Sequence, residues 1–252
     1  MGKAPEKPES IFSQITEDYR NIFGDDLSAI ILYGSGASGH YVPGKSDLNF
    51  LVVLTDKGMG ELEKAMDTVT RGRKSRVAVP LFMTKDYIAS SLDAYPIEFL
   101  DMKLHHVLVY GKDVLEGLEI HPGHLRLQVE RELKGKLLHL RQRFLETEGK
   151  EKPVRELIRV SLTAFLSSFK ALLYLLGLDI PRERREIIKA SAQAVGVDAA
   201  VFMKCMAIRE GSDKFSRTEL MDIYKDYVKE IDQLCRRVDE LKVAPEEVKG
   251  GQ

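Results

Sequence analysis

Apolar positions follow two different rhythms along this chain, and the change falls near residue 121. Before it the apolar runs are short: Ala29 to Tyr33, Phe50 to Leu54, Val77 to Met83 and His106 to Tyr110. Short apolar runs bounded by turn formers read as buried strands. Between them, apolar residues recur three and four apart from Ile11 to Phe23, Gly60 to Thr70 and Lys85 to Met102, which predicts helices. Strands alternating with helices predict an α/β (α+β) domain over residues 1–120, built on a small mixed sheet.

After Pro122 the strand signals stop. Helical patterns run from Leu125 to Thr147, Val154 to Leu176, Arg184 to Val195, Asp198 to Arg209 and Arg217 to Leu241, punctuated by Gly177, Pro181, Gly196 and Gly211. Residues 121–252 are therefore expected to form an all-α helical bundle. In its first helix the apolar stripe is Leu125, Val129, Leu133, Leu137, Leu140 and Phe144. At 100° per residue Arg126 points within that stripe, and Glu130 lies at its edge one turn on. A charged pair on an apolar face reads as an interdomain ion pair or, more sharply, as part of a cleft between domains. The last pattern, Leu220, Ile223, Tyr227, Ile231, Leu234 and Leu241, reads as core or dimer surface.

Composition narrows the function classes. The 252 residues are 44% hydrophobic and 31% charged, which supports a sizeable core. Lys and Arg number 38 against 39 for Asp and Glu, a formal net charge of −1, so there is no broad footprint for duplex nucleic acid or anionic lipid. No apolar run approaches membrane-span length, and the start, MGKAPEKPES, is polar rather than signal-like. Cys205 and Cys235 lie far apart and away from metal-type spacing, which fits a reduced, cytoplasmic protein. No internal repeat is visible, and the tail PEEVKGGQ reads as frayed.

One stretch carries chemistry: LYGSGASGHYVPGKSDLNFLVVLTD, residues 32–56. Gly34, Gly36 and Gly39 spell G-x-G-x-x-G after an apolar run, and Asp56 closes the next run, as a dinucleotide-binding loop would require. That fold needs a helix to start within the glycine loop. Here the following segment is His40-Tyr-Val-Pro-Gly-Lys-Ser-Asp47, and Pro43-Gly44 breaks any helix. That context disfavours a Rossmann-type dinucleotide-binding reading, which stays behind the alternatives below. His40 reads as a surface residue, and His105, His106, His121 and His124 lack the compact partner set of a zinc site.

A strand ending in Gly34-Ser35, then a loop, then Asp47-Leu-Asn49 opening the run Phe50 to Leu54 resembles the nucleotidyltransferase superfamily, most of all the aminoglycoside nucleotidyltransferases and their bacterial relatives. The resemblance covers residues 28–56 closely and the remainder only in its two-domain layout. It implies that Gly34, Ser35, Lys45 and Ser46 meet the phosphates of a nucleoside triphosphate. It also implies that Asp47 and the residue at 49 hold Mg²⁺ (or Mn²⁺) and act in catalysis, because carboxylates at alternate strand positions share one face. Two metals then clamp the attacking and leaving oxygens of an in-line transfer. A nucleoside monophosphate would pass to the hydroxyl of a small molecule, held in a cleft that Arg126 and Glu130 would border.

The acidic set departs from that pattern. Position 49 is Asn, and the next predicted strand, Arg76 to Thr84, holds no acid where a third carboxylate is expected. Asp86, Asp93, Glu98 and Asp101 are nearby substitutes, but all fall on a helical pattern. Two readings follow: a triphosphate-binding transferase with its catalysis in doubt, or an inactive nucleotide-sensing or protein-interaction module on the same scaffold, with a homodimer possible in either case.

Overall fold

The computed structural model describes residues 4–243, so the frayed-tail expectation for PEEVKGGQ lies outside the described residues. The chain is mixed α/β and mostly helical, 62%, with a four-stranded mixed sheet. It divides into two compact units, one reaching to Ile120 and the other beginning at His121.

In the first unit, α1 (Phe12–Phe23) leads into β1 (Leu27–Tyr33), and β2 (Asn49–Leu54) returns antiparallel to it, with Tyr33 opposite Asn49. A short α2 (Asp56–Met59) and α3 (Met66–Lys74) follow, then β3 (Leu81–Met83), α4 (Lys85–Ser90), α5 (Pro96–Leu104) and β4 (His106–Gly111). The strand order is β3-β2-β1-β4, with β2 and β3 parallel and the other pairs antiparallel. Ile30, Leu32, Leu48, Phe50, Val52 and Leu54 form one core with Ile15, Tyr19 and Phe23 of α1. Ala29, Ile31, Leu51 and Val53, which point the other way, are buried as well. A sheet covered on both faces explains why β1 and β2 are continuous apolar runs rather than alternating ones.

Three expectations need correction here. The predicted strand Arg76–Thr84 is paired only at Leu81–Met83 and through a separate bridge from Leu48 to Val77. Pro80, which has no N–H to donate, lies where the pairing offset changes. β3 is an edge strand, and Phe82 packs its ring on Tyr19 and Phe23. The helix expected from Lys85 to Met102 is interrupted between Ser90 and Pro96. The Gly60–Thr70 helix instead starts at Met66, because two short turns at Asp56–Met59 and Leu62–Ala65 precede it.

The second unit holds α6 (Pro122–Glu146), α7 (Glu151–Ala164), α8 (Leu166–Leu175), α9 (Arg184–Ala194), α10 (Ala199–Glu210) and α11 (Arg217–Asp239). The single pattern from Val154 to Leu176 is two helices that meet at Phe165. Local chemistry sets several ends: Asp198 accepts from Ala200 N, Ser216 and Glu219 form a capping box, and Gly211 closes α10 in the left-handed region. The rings of Phe165, Phe169, Phe202 and Tyr227 form a closed square with centroid distances of 5.7–6.3 Å, most of them edge to face. Glu151–Leu175 is long and apolar enough to cross a membrane by length and composition, against the expectation of no such run, and half of its most apolar window is buried in the unit. Cys205 and Cys235 are both free and buried, and burial pushes the Cys235 thiol up to about 11.

Candidate functional site

β1 ends in a tight turn over Gly34–Gly36, whose first amides have no acceptor within the turn itself. Gly34 has φ +71°, and a Cβ there would come within 3.2 Å of Asn49 Nδ2. Both the backbone and the close approach therefore call for glycine. The Gly34 carbonyl accepts from the amides of Ala37 and Ser38, and the Ser35 carbonyl from His40 N, so the chain curls back on itself here. No regular helix starts at Gly39, which agrees with rejecting the Rossmann reading.

The loop then closes with its own side chains. Ser46 Oγ accepts from Val42 N at 3.1 Å, while Lys45 N and Ser46 N both donate to Val42 O. The Ser46 hydroxyl is thus committed to the loop. Lys45 forms no ion pair among the described residues. Asp47 and Asn49 flank the fully buried Leu48, so their side chains share the face opposite the α1 core. The structure brings Gly34, Asp47 and Asn49 together at one end of the sheet, through the antiparallel pairing of β1 with β2.

Arg76, which the sequence pattern did not single out, completes this end. The parallel bridge Leu48 to Val77 puts Arg76 beside Asp47, and Leu48 N donates to Arg76 O at 2.9 Å. Arg76 Nε lies 3.3 Å from Asp47 Oδ1, and Nη2 donates to the carbonyls of Gly44 at 2.7 Å and Lys45 at 2.9 Å. This guanidinium pins the loop and neutralises its one carboxylate. Asp47 stays 54% exposed, so its remaining oxygen is open to solvent.

Those residues do not fit the metal that the resemblance implies. A two-metal transferase concentrates carboxylates on its cations. Here Asp47 stands beside a guanidinium, position 49 offers a neutral amide, and the neighbouring segment supplies Arg76 in place of an acid. Among the described residues no group of three His, Cys, Asp or Glu side chains is placed to hold a metal ion. The substitutes do not converge either: Asp86 is in the first turn of α4, and Asp101 of α5 lies 3.7 Å from His105.

His106 sits on β4 opposite Tyr33, on the other side of β1. Its Nε2 is 2.8 Å from Asp113 Oδ2, and Nδ1 is 3.0 Å from Met102 O. Burial disfavours the Asp113 charge, yet the bonds from His106 and the amides of Leu115 and Glu116 outweigh it and hold the carboxyl below its ordinary range. The pair ties α5 to the segment after β4. His121 caps α6 by accepting from Gly123 N.

Arg126 and Glu130 are paired along α6 at 2.8 Å, and Lys134 reaches the second Glu130 oxygen at 2.5 Å. Lys134 lies 3.5 Å from Asp239, and Arg126 Nη1 is 3.5 Å from Val238 O, so the network joins α6 to the end of α11. Each of these partners belongs to the helical unit. That unit also has an apolar groove of about 500 Å³ between α6 and α7, floored by Leu140, Leu157 and Phe165. None of the candidate site residues lines it, although Leu140 of the α6 apolar stripe does.

No protein-family model matches the chain, and no curated protein matches it either.

Proposed function

We propose that the first unit is a nucleotidyltransferase-like module that binds a nucleoside triphosphate by its phosphates at the Gly34-Ser35 turn. It acts as a nucleotide sensor rather than as an efficient transferase. The observation that carries this reading is the end of the sheet itself. The glycine turn, Asp47 and Asn49 stand in the order and proximity the resemblance calls for, while Arg76 takes the place of an acid. The glycine turn supports phosphate contact, since a backbone free of Cβ leaves amides open to anionic oxygens. The acid-poor surroundings argue against in-line transfer with two cations. The half-exposed Asp47 carboxylate favours a second reading, a slow Mg²⁺-dependent transferase acting on small-molecule hydroxyls.

Calorimetry with ATP, GTP, CTP and UTP tests the reading. One of them is expected to bind saturably. Gly34→Ala, whose Cβ costs about 1–2 kcal/mol in the left-handed region, is expected to weaken that binding about tenfold. Incubation of labelled triphosphates with Mg²⁺ or Mn²⁺ and a panel of hydroxyl acceptors is expected to yield no more than trace product. Robust transfer would establish the second reading, and no saturable binding of any nucleotide would sink both.

A further inference from the structure

Arg76 sits at a place that glycine normally occupies. α3 ends with Arg76 N donating to Arg73 O at 3.3 Å and Val77 N donating to Gly72 O at 3.1 Å. That is the paired bonding of a Schellman end, whose first residue past the cap takes the left-handed conformation and is usually glycine. Arg76 has φ +62°. A non-glycine residue there carries strain, and such strain persists where the surroundings hold it for a purpose. The purpose visible here is the side chain, which reaches Gly44, Lys45 and Asp47 at once. Its Nε is buried without a hydrogen bond in the protein, so it faces Asp47 as a charge and not as a geometric donor.

We infer that Arg76 is a built-in cation that replaces the metal at this site, so that this end of the sheet takes the polyphosphate of a nucleotide without a divalent ion. The inference rests on the proposed nucleotide-binding reading and deepens it. A divalent ion on Asp47 would sit within a few ångströms of a fixed positive charge, and the two repel in a half-exposed setting. A polyphosphate approaching the same point meets the opposite case. The Arg76 side chain is 41% exposed, with Nη1 in no hydrogen bond among the described residues. A planar guanidinium suits phosphate oxygens, whereas a bare lysine would act only as a point charge. Nη2 meanwhile keeps the loop closed through Gly44 and Lys45, which leaves the remaining face for the ligand.

The experiment compares ATP binding in Mg²⁺ with binding in EDTA, by calorimetry, for the natural protein and for two variants. Arg76→Gly suits the left-handed backbone and removes the charge, while Arg76→Gln removes the charge but keeps a shorter, neutral hydrogen-bonding side chain. For the natural protein the affinity is expected to be the same in both buffers within about twofold, because no metal contributes coordination. Both variants are expected to bind about tenfold to a hundredfold more weakly in EDTA, the loss that follows removal of a charged donor. In Mg²⁺ they should recover part of that affinity, since Asp47 is released to share an ion with the phosphates. A purely structural Arg76 would weaken both buffers equally and leave their ratio at one, which overturns the inference. Binding by the natural protein only in Mg²⁺ also overturns it and leaves the nucleotide reading standing. No ATP binding in either buffer, alongside binding of another nucleotide, moves the same comparison to that nucleotide's own Mg²⁺ and EDTA pair. No binding of any nucleotide removes both proposals together.

Discussion

In the helical unit, Phe165, Phe169, Phe202 and Tyr227 close their square from helices with ordinary backbone, whereas at the end of the sheet Gly34 and Arg76 both hold φ values that L side chains avoid. The helical unit pairs several of its charges internally: Arg126, Glu130 and Lys134 answer one another, and Arg155 meets Asp213. The sheet end leaves Asp47 and Arg76 half-exposed around a loop stapled by its own carbonyls. These helical charges are spent on one another, whereas at the sheet end one Asp47 oxygen and part of the Arg76 side chain face outward. Strain and exposed charge at the same place point to binding, while relaxed backbone around buried rings points to stability.

The largest expected effect breaks the helical side of that comparison. Phe202 is fully buried and touches both Phe169 and Tyr227 ring to ring. Phe202→Ala is expected to destabilise the helical unit by about 3–5 kcal/mol, the usual cost of deleting a buried aromatic. Urea unfolding followed by circular dichroism reads the loss. A cost under about 1 kcal/mol would show that the square is not the centre of the core.

Much of this arrangement is legible from residue order alone, and the exceptions have local causes. β1 and β2 are visible because strands buried on both faces are near-continuous apolar runs, and β4 because its run from His106 to Tyr110 is mostly apolar although it lies at the sheet's edge, half-exposed. Gly34 and Asp47 are visible because the turn and the strand that follows it are close in sequence. Arg76 is not. It is 29 positions from Asp47, and only the parallel bridge at Leu48 and Val77 makes them neighbours. In the run Arg71-Gly-Arg-Lys-Ser-Arg76 it looks like one more charge at a helix end. The available signal is an absence: α3 stops with no glycine just past its cap. The interruption of the Lys85–Met102 pattern escapes for a related reason. Apolar residues keep helical spacing across it, and only Pro96, which suits a first helical turn, marks the restart. The Arg126–Glu130 pair was readable as a pair, but its partner segment at Val238 and Asp239 comes from the far end of the unit.

A smaller effect sharpens the charge half of the comparison. Lys134 and, against the cost of burial, Arg126 hold the Glu130 carboxyl below its ordinary value of 4.5. The folded state therefore gives up the proton more readily than the unfolded one. The stability this brings is fully present above the ordinary value and is lost as pH falls through the lower folded one. Glu130→Gln is expected to cost about 0.5–1 kcal/mol at pH 7, a modest figure because Lys134 is half-exposed. Thermal unfolding of both proteins from pH 7 to pH 3 should show the difference shrinking below pH 4.5. A gap that stays constant over that range would remove the ionic account of the pair.

The smallest effect has the opposite sign and separates two glycines. Gly34 is held by its positive φ and by Asn49, whereas Gly135 lies inside α6 with no such angle, and a Cβ there would meet nothing within 4 Å. Nothing within the described residues requires glycine at that point, and glycine in a helix interior is worse than alanine by about 0.5–1 kcal/mol. The cost arises mostly in the unfolded chain, whose freedom alanine reduces. Gly135→Ala is therefore expected to raise the melting temperature by about 2–4 °C per kcal/mol gained, while Gly34→Ala lowers it. The pair isolates conformation from chemistry, since each change adds the same methyl group. An unchanged or lower melting temperature for Gly135→Ala would mean that the face is covered in solution. That face of α6 would then serve a contact as well as a fold.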